Sequence, residues 1–239
     1  MGATEPRLRA AARIEGKLRE KPMTKMPKAR ALKAKAAVIT EGDARGFVIE
    51  HGHDRLVVTA AHCLPRNDEG QLLIPAIGGI SHLEERTYAK LLARLGRKPS
   101  ISAECLFVDP VSDIAVLGEP DGQVLWNEAR AYGRLMEAVT PIAITDAPES
   151  GPAWLLSLDG NWFPCTVNTG EGGPLWLSDA AEPIKGGMSG SPVISADGMA
   201  MGIVCTGSSQ SITDGPNPRL TSHLPGWLLR DPIKPKGGK

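Results

Sequence analysis

Aromatic side chains are scarce in this 239-residue chain: three Phe, two Tyr and five Trp, 4% in all. The Trp residues (126, 154, 162, 176 and 227) are scattered without interleaved cations. That argues against a base-stacking surface and makes packing their expected role. Cysteine is equally thin. Cys63, Cys105, Cys165 and Cys205 stand about 40 residues apart with no CxxC pair, which argues against a zinc or redox motif and against a disulfide scaffold. Unpaired thiols in a reducing compartment are expected. No apolar run approaches the ~20 residues of a membrane helix, and no 7–15-residue apolar stretch follows the basic start as in a secretory signal. A cytoplasmic protein without membrane contact is therefore expected. His51 and His53 alternate in HGHD with no third ligand nearby. A polar hairpin turn is the reading there, with neither metal nor cofactor.

Charge of either sign is also absent in the sum, with 27 basic and 27 acidic residues, but it is unevenly spread. Residues 1–36 hold eleven Lys or Arg against Glu5, Glu15 and Glu20, a net of +8. The remainder carries sixteen basic and twenty-four acidic residues, a net of −8. A basic tail can touch nucleic acid or an anionic surface. A solvated, partly disordered or helical arm is favoured here over a nucleic-acid tether.

What is plentiful is glycine (27) and proline (20) within a chain that is 41% hydrophobic. Frequent turns between short apolar runs indicate a β-rich body. Strands are expected at 36–40, 46–50, 55–60, 105–109, 113–118, 153–159, 161–168, 191–195 and 199–207. The pairs around HGHD and around Asp197-Gly198 read as hairpins. Helices are expected at 5–20, broken by Pro22 and Pro27, at 81–96, where Leu83, Leu91, Leu92 and Leu95 take helical spacing, and at 127–139.

Three segments carry chemistry: VVTAAHCL (57–64), DPVSDIAVL (109–117) and IKGGMSGSPVI (184–194). Together they supply a base, an orienting acid and a nucleophile. A serine hydroxyl is a poor nucleophile at neutral pH and needs a base of suitable pKa, which imidazole offers. Either Asp109 or Asp113 could orient His62, and either Ser189 or Ser191 could attack. The order His, Asp, Ser is that of the chymotrypsin class and differs from α/β-hydrolases and subtilisins.

TAAHC, SDIAVL and GMSGSPV, separated by 51 and 76 residues, resemble the chymotrypsin-fold serine proteases, specifically the compact bacterial trypsin-like peptidases. The likeness spans roughly residues 37–210. It implies an all-β fold of two packed six-stranded antiparallel β-barrels with short helical insertions. The first barrel (37–146) would carry His62 and Asp113, and the second (147–233) Ser189. The arm (1–36) and a tail (234–239) would flank them. The family pattern selects Asp113 and Ser189 over Asp109 and Ser191. It also places the backbone N–H groups of Gly187 and Ser189 in an oxyanion hole. The implied activity is serine-type endopeptidase cleavage of protein or peptide substrates through an acyl-enzyme, by a monomer. The alternative is a latent or partner-activated binding module on the same fold.

The sequence departs from the family at several places. No Cys stands near Gly46 or Phe47 to pair with Cys63. Met188 occupies the position of the acid that, in zymogen-activated members, pairs with a new N-terminus. Pro183 falls at the base of the implied specificity pocket, which argues for a small or apolar preference over Arg or Lys. Cys205, Thr206 and Gly207 form the implied substrate-pairing edge, with Cys205 replacing a Ser. His82 and His223 belong to no motif and are expected at the surface.

Overall fold

The computed structural model describes residues 25–73, 86–169, 175–205 and 221–230. Twelve strands and two helices make up the described chain. The first six strands are β1 (Val38–Glu41), β2 (Ala44–His51), β3 (Asp54–Thr59), β4 (Thr87–Arg94), β5 (Ile101–Asp109) and β6 (Ile114–Gly118). They close into an antiparallel barrel in the order β1-β2-β3-β6-β5-β4. The second set is β7 (Ser150–Leu156), β8 (Trp162–Thr169), β9 (Leu175–Ser178), β10 (Pro192–Ser195), β11 (Ala200–Val204) and β12 (Thr221–His223). It runs β12-β11-β10-β7-β8-β9 and is nearly closed. These are the two six-stranded antiparallel barrels of a chymotrypsin-like all-β fold.

Each barrel has its own aliphatic core. Ile39, Val48, Val57, Leu92 and Leu117 fill the first. Leu155, Phe163, Val167, Val193 and Met201 fill the second. A third cluster, including Phe47, Ile49, Val58, Trp154, Ile194 and Ile203, draws on strands of both barrels. With few rings available, aliphatic side chains (Ala, Val, Ile and Leu) supply most of this packing.

One expected helix is a strand. Residues 87–94 form β4, which pairs with β5 through Thr87↔Glu104 and Tyr88↔Ala103, then shifts register before Leu92↔Ile101. Lys90 adopts φ 54° at this irregularity. The step from Tyr88 to Leu92 spans four residues against two on β5, and a bulge of this kind interrupts the alternation of period two. The apolar positions after it therefore fall at three- and four-residue spacings and imitate a helix. Residues 81–85, including His82, lie outside the described residues, as do the helix expected at 5–20 and the tail from 231.

The helix expected at 127–139 is present as α2 (Trp126–Glu137), with Tyr132, Leu135 and Met136 buried. An additional helix, α1 (Lys28–Ala36), begins at Pro27, whose φ of −54° suits a helix start. The end of the basic arm is thus docked. Lys35 donates to Gly160 O at 2.8 Å, Trp162 Nε1 donates to Ala31 O at 3.0 Å, and Arg30 bonds Ala196 O. Among the described residues no helix is long and apolar enough to cross a membrane.

Candidate active site

β3 ends at Thr59, and a short 3-10 turn over Ala61–Cys63 follows it. β3 pairs with β6 through Thr59↔Ala115. That register sets the turn carrying His62 beside the residue that enters β6, Asp113. The Asp113 carboxylate then holds His62 twice. Oδ2 lies 2.7 Å from the ring Nδ1, and Oδ1 accepts the backbone N–H of His62 at 2.8 Å. The Asp113 carbonyl accepts the N–H of Ala61 at 3.2 Å. A carboxylate can only accept, so Nδ1 carries the proton and Nε2 presents its lone pair. Asp113 takes φ 54°, a left-handed backbone that Asp tolerates better than most residues. Strain of this kind costs on the order of 1 kcal/mol and is sustained by surrounding contacts.

Asp109 does something different. Its Oδ1 accepts the N–H groups of Val111 and Ser112 at 2.9 and 3.1 Å, an Asx turn that shapes the approach to Asp113. Hydrogen bonds from Ser112 hold its carboxyl below the usual range. The structure brings Asp113, not Asp109, to His62.

The serine segment belongs to the second barrel, in the turn before β10. Ser189 is 5% exposed and Ser191 fully buried. The Ser191 hydroxyl has no partner among the described residues, and its burial removes it from any substrate. Around Ser189 the backbone amides divide into two sets. Met188 donates to Lys185 O at 3.1 Å and Gly190 to Val204 O at 2.7 Å. The amides of Gly187 and Ser189 have no hydrogen-bond partner among the described residues. Those are the two donors an oxyanion hole would use. Gly187 adopts φ 84°, a conformation that glycine reaches without a Cβ penalty.

Three residues that sequence reasoning left without a role stand at this site. The first is Cys63. Its Sγ lies 3.5 Å from His62 Nε2, and the Ser189 hydroxyl also interacts with this thiol. Among the described residues no hydrogen bond joins Ser189 to His62. Burial, then the charges of Glu41 and Asp113, push the Cys63 thiol well above its ordinary pKa, so it stays protonated. The second is Glu41, fully buried, with its Oε2 3.2 Å from Thr59 Oγ1. Burial pushes its carboxyl up to about 8. The third is Met188, 1% exposed, which packs in the core of the second barrel. Its Sδ lies 3.3 Å from the Lys185 N–H. Cys63 and Met188 carried a signal in the sequence, through their adjacency to His62 and Ser189, whereas Glu41 carried none.

The implied substrate residues are dispersed. Pro183 is exposed in the loop leading to the serine turn. Cys205 is buried, and its Sγ makes a weak contact with Asp113 O at 3.9 Å. Thr206 and Gly207 lie outside the described residues. Asp113 and Cys205 line a cavity of about 610 Å³ with Asp109, Leu175 and Thr221, so both barrels contribute walls. His223 lies on β12 and is half-buried.

Barrel pair and His–Asp couple together define a protein of the trypsin-like class. Residues 44–203, about two thirds of the chain, match the trypsin-like peptidase domain, and the chain belongs to that family. Comparison with curated proteins finds no match. Among solved structures, one from work on the coupled folding and binding of the intrinsically disordered Sesbania mosaic virus VPg protein aligns with TM-score 0.46 and 15% identity. That alignment covers 71% of this chain and 78% of the other. The Rv3671c protease in an inactive form aligns with TM-score 0.44 and 18% identity, over 86% of this chain and 93% of the other. A serine-to-alanine mutant of Rv3671c from M. tuberculosis H37Rv, also inactive, gives TM-score 0.44 and 18% identity over 84% and 86%.

Proposed function

We propose that this chain is a serine endopeptidase acting through Ser189, His62 and Asp113. The observation that carries the reading is the double hold of Asp113 on His62, which presents the Nε2 lone pair as a base. In the proposed reaction the Ser189 hydroxyl attacks a peptide carbonyl and gives its proton to His62 Nε2. Asp113 stabilises the resulting imidazolium. The negative oxygen takes hydrogen bonds from the free amides of Gly187 and Ser189. Collapse expels the amine, which receives the proton from His62 and leaves an acyl-Ser189 ester. A water deprotonated by His62 then hydrolyses the ester. Before the first step the Cys63 thiol must turn away from Nε2.

Pro183 cannot supply the charge that would bind Arg or Lys, so the proposed preference is for small or apolar residues. Four free cysteines support a reducing, cytoplasmic setting. A fluorophosphonate probe should label the folded protein, and Ser189→Ala should abolish the labelling. Folded protein that stays unlabelled defeats the proposal.

A second reading, a latent protease awaiting a partner, is favoured by one observation: Nε2 is engaged by Cys63 and not by Ser189. Steady peptide turnover by the isolated chain excludes latency.

A further inference from the structure

Arg45 belongs to β2 of the first barrel, yet its side chain ends in the second. The residue is 6% exposed. Nη1 donates to Leu156 O at 2.7 Å and Nη2 to Ser157 O at 2.9 Å, at the close of β7. The backbone of the same residue meets the serine turn. Its N–H donates to Ser189 O at 2.9 Å. Its carbonyl accepts the Thr59 hydroxyl at 2.8 Å and packs so closely on Gly190 that a Cβ there would come within 1.7 Å of it.

Stability alone is a poor account of this arrangement. Among the described residues the guanidinium's hydrogen-bond partners are two neutral carbonyls, and the acidic group that influences it, Asp159, is exposed. Burying a cation on such terms is costly, and a well-packed apolar residue of similar volume is often no worse. What the planar fork does supply is geometry. It matches two successive carbonyls with little loss of freedom. His62 and Asp113 stand on the first barrel and Ser189 on the second. The distance between base and nucleophile is therefore set by how the two barrels are locked together.

We propose that Arg45 is a positioning residue: its side chain ties β2 to the end of β7, and its backbone fixes the Ser189 turn relative to His62. The inference rests on the reading of Ser189 as nucleophile. Misplacement by about 1 Å can cost on the order of a hundredfold in rate.

The test compares wild type, Arg45→Met and Arg45→Lys in three measurements: fluorophosphonate inactivation resolved into kinact and KI, thermal unfolding, and amide exchange by mass spectrometry. Arg45→Met should lower kinact about ten- to a hundredfold while KI stays within about twofold. The amides of Gly190 and Ser191 should exchange about tenfold faster, more than those of the β2–β3 hairpin. Arg45→Lys, which reaches one carbonyl, should fall between. A variant that melts lower but keeps the wild-type kinact and exchange at the serine turn overturns the proposal. Should Arg45→Met fail to fold, unchanged kinact and exchange in Arg45→Lys overturn it equally. If wild type is not labelled, the protease reading fails by itself. The exchange arm then decides the inference: faster exchange confined to the serine turn supports it, and no change refutes it.

Discussion

The Sγ of Cys63 lies 3.5 Å from Nε2 of His62, while Asp113 holds Nδ1 on the opposite edge of the same ring. A protonated thiol there donates to the lone pair that a general base needs. Cys63→Ala should free Nε2 and raise probe labelling of Ser189 about two- to tenfold, the worth of one ordinary hydrogen bond. Labelling rates of the two proteins at equal concentration check this. Equal rates would show that the thiol leaves the base at no cost.

Asp113 controls both tautomer and placement of His62. In Asp113→Asn one of the two carboxylate oxygens becomes an NH2 donor, so only one of the two acceptor contacts, to Nδ1–H or to the His62 backbone N–H, can be kept. The wrong tautomer in a triad costs about 10⁴ in turnover. We expect a loss on the order of 10³–10⁴ in kinact with circular dichroism unchanged. Asp109→Asn, which alters only a turn, should leave labelling near wild type. Equal losses in both variants would reverse the assignment.

Glu41 makes stability depend on pH. Burial raises its carboxyl from 4.5 to about 8, with the Thr59 hydrogen bond opposing. The folded chain keeps this proton where the unfolded chain has released it. Its contribution is therefore complete below the unfolded pKa, falls as pH rises, and is lost by about 8. The slope is about 1.4 kcal/mol for each pH unit in that window. Glu41→Gln should gain on wild type steadily between pH 5 and 8 and level off above. Urea midpoints measured at unit steps of pH test it; parallel curves for the two proteins would sink the idea.

Met188 anchors the serine turn by apolar burial where zymogen-activated relatives place an acid. Met188→Ala should destabilise by about 2–5 kcal/mol and Met188→Leu by less than about 1.5 kcal/mol. Met188→Asp should be the worst of the three, because it buries a carboxylate with no partner. Thermal unfolding ranks them. A stable, strongly labelled Met188→Asp would mean that the turn does not depend on this core contact.

Much of the fold was legible in local pattern. GFVIE and RLVVTA, short runs rich in Val, Ile and Phe on either side of a turn, form the β2–β3 hairpin, and β10 and β11 fall within SPVIS and MAMGIVCTG. Where reading failed, the deciding contacts were distant in sequence. β4 imitates a helix because its bulge at Lys90 breaks the alternation, and only pairing with β1 and β5 makes it a strand. β9 and β12, four and three residues long, carry too little periodicity to read alone and exist through their neighbours. Pro27, read as a breaker, opens α1.

Composition and motif order alone determined that this is a β-rich chain with a base, an acid and a nucleophile in the sequence of the chymotrypsin class. Residue types and short apolar runs between turn residues are local properties, and they survive in the letters. Tertiary structure decided which carboxylate meets His62, that the Cys63 thiol sits on the ring's free nitrogen, that Met188 is core, and that Arg45 crosses between barrels. Each of those depends on strand register and on the packing of one barrel against the other. Such contacts join residues up to more than a hundred positions apart, and no local pattern encodes them.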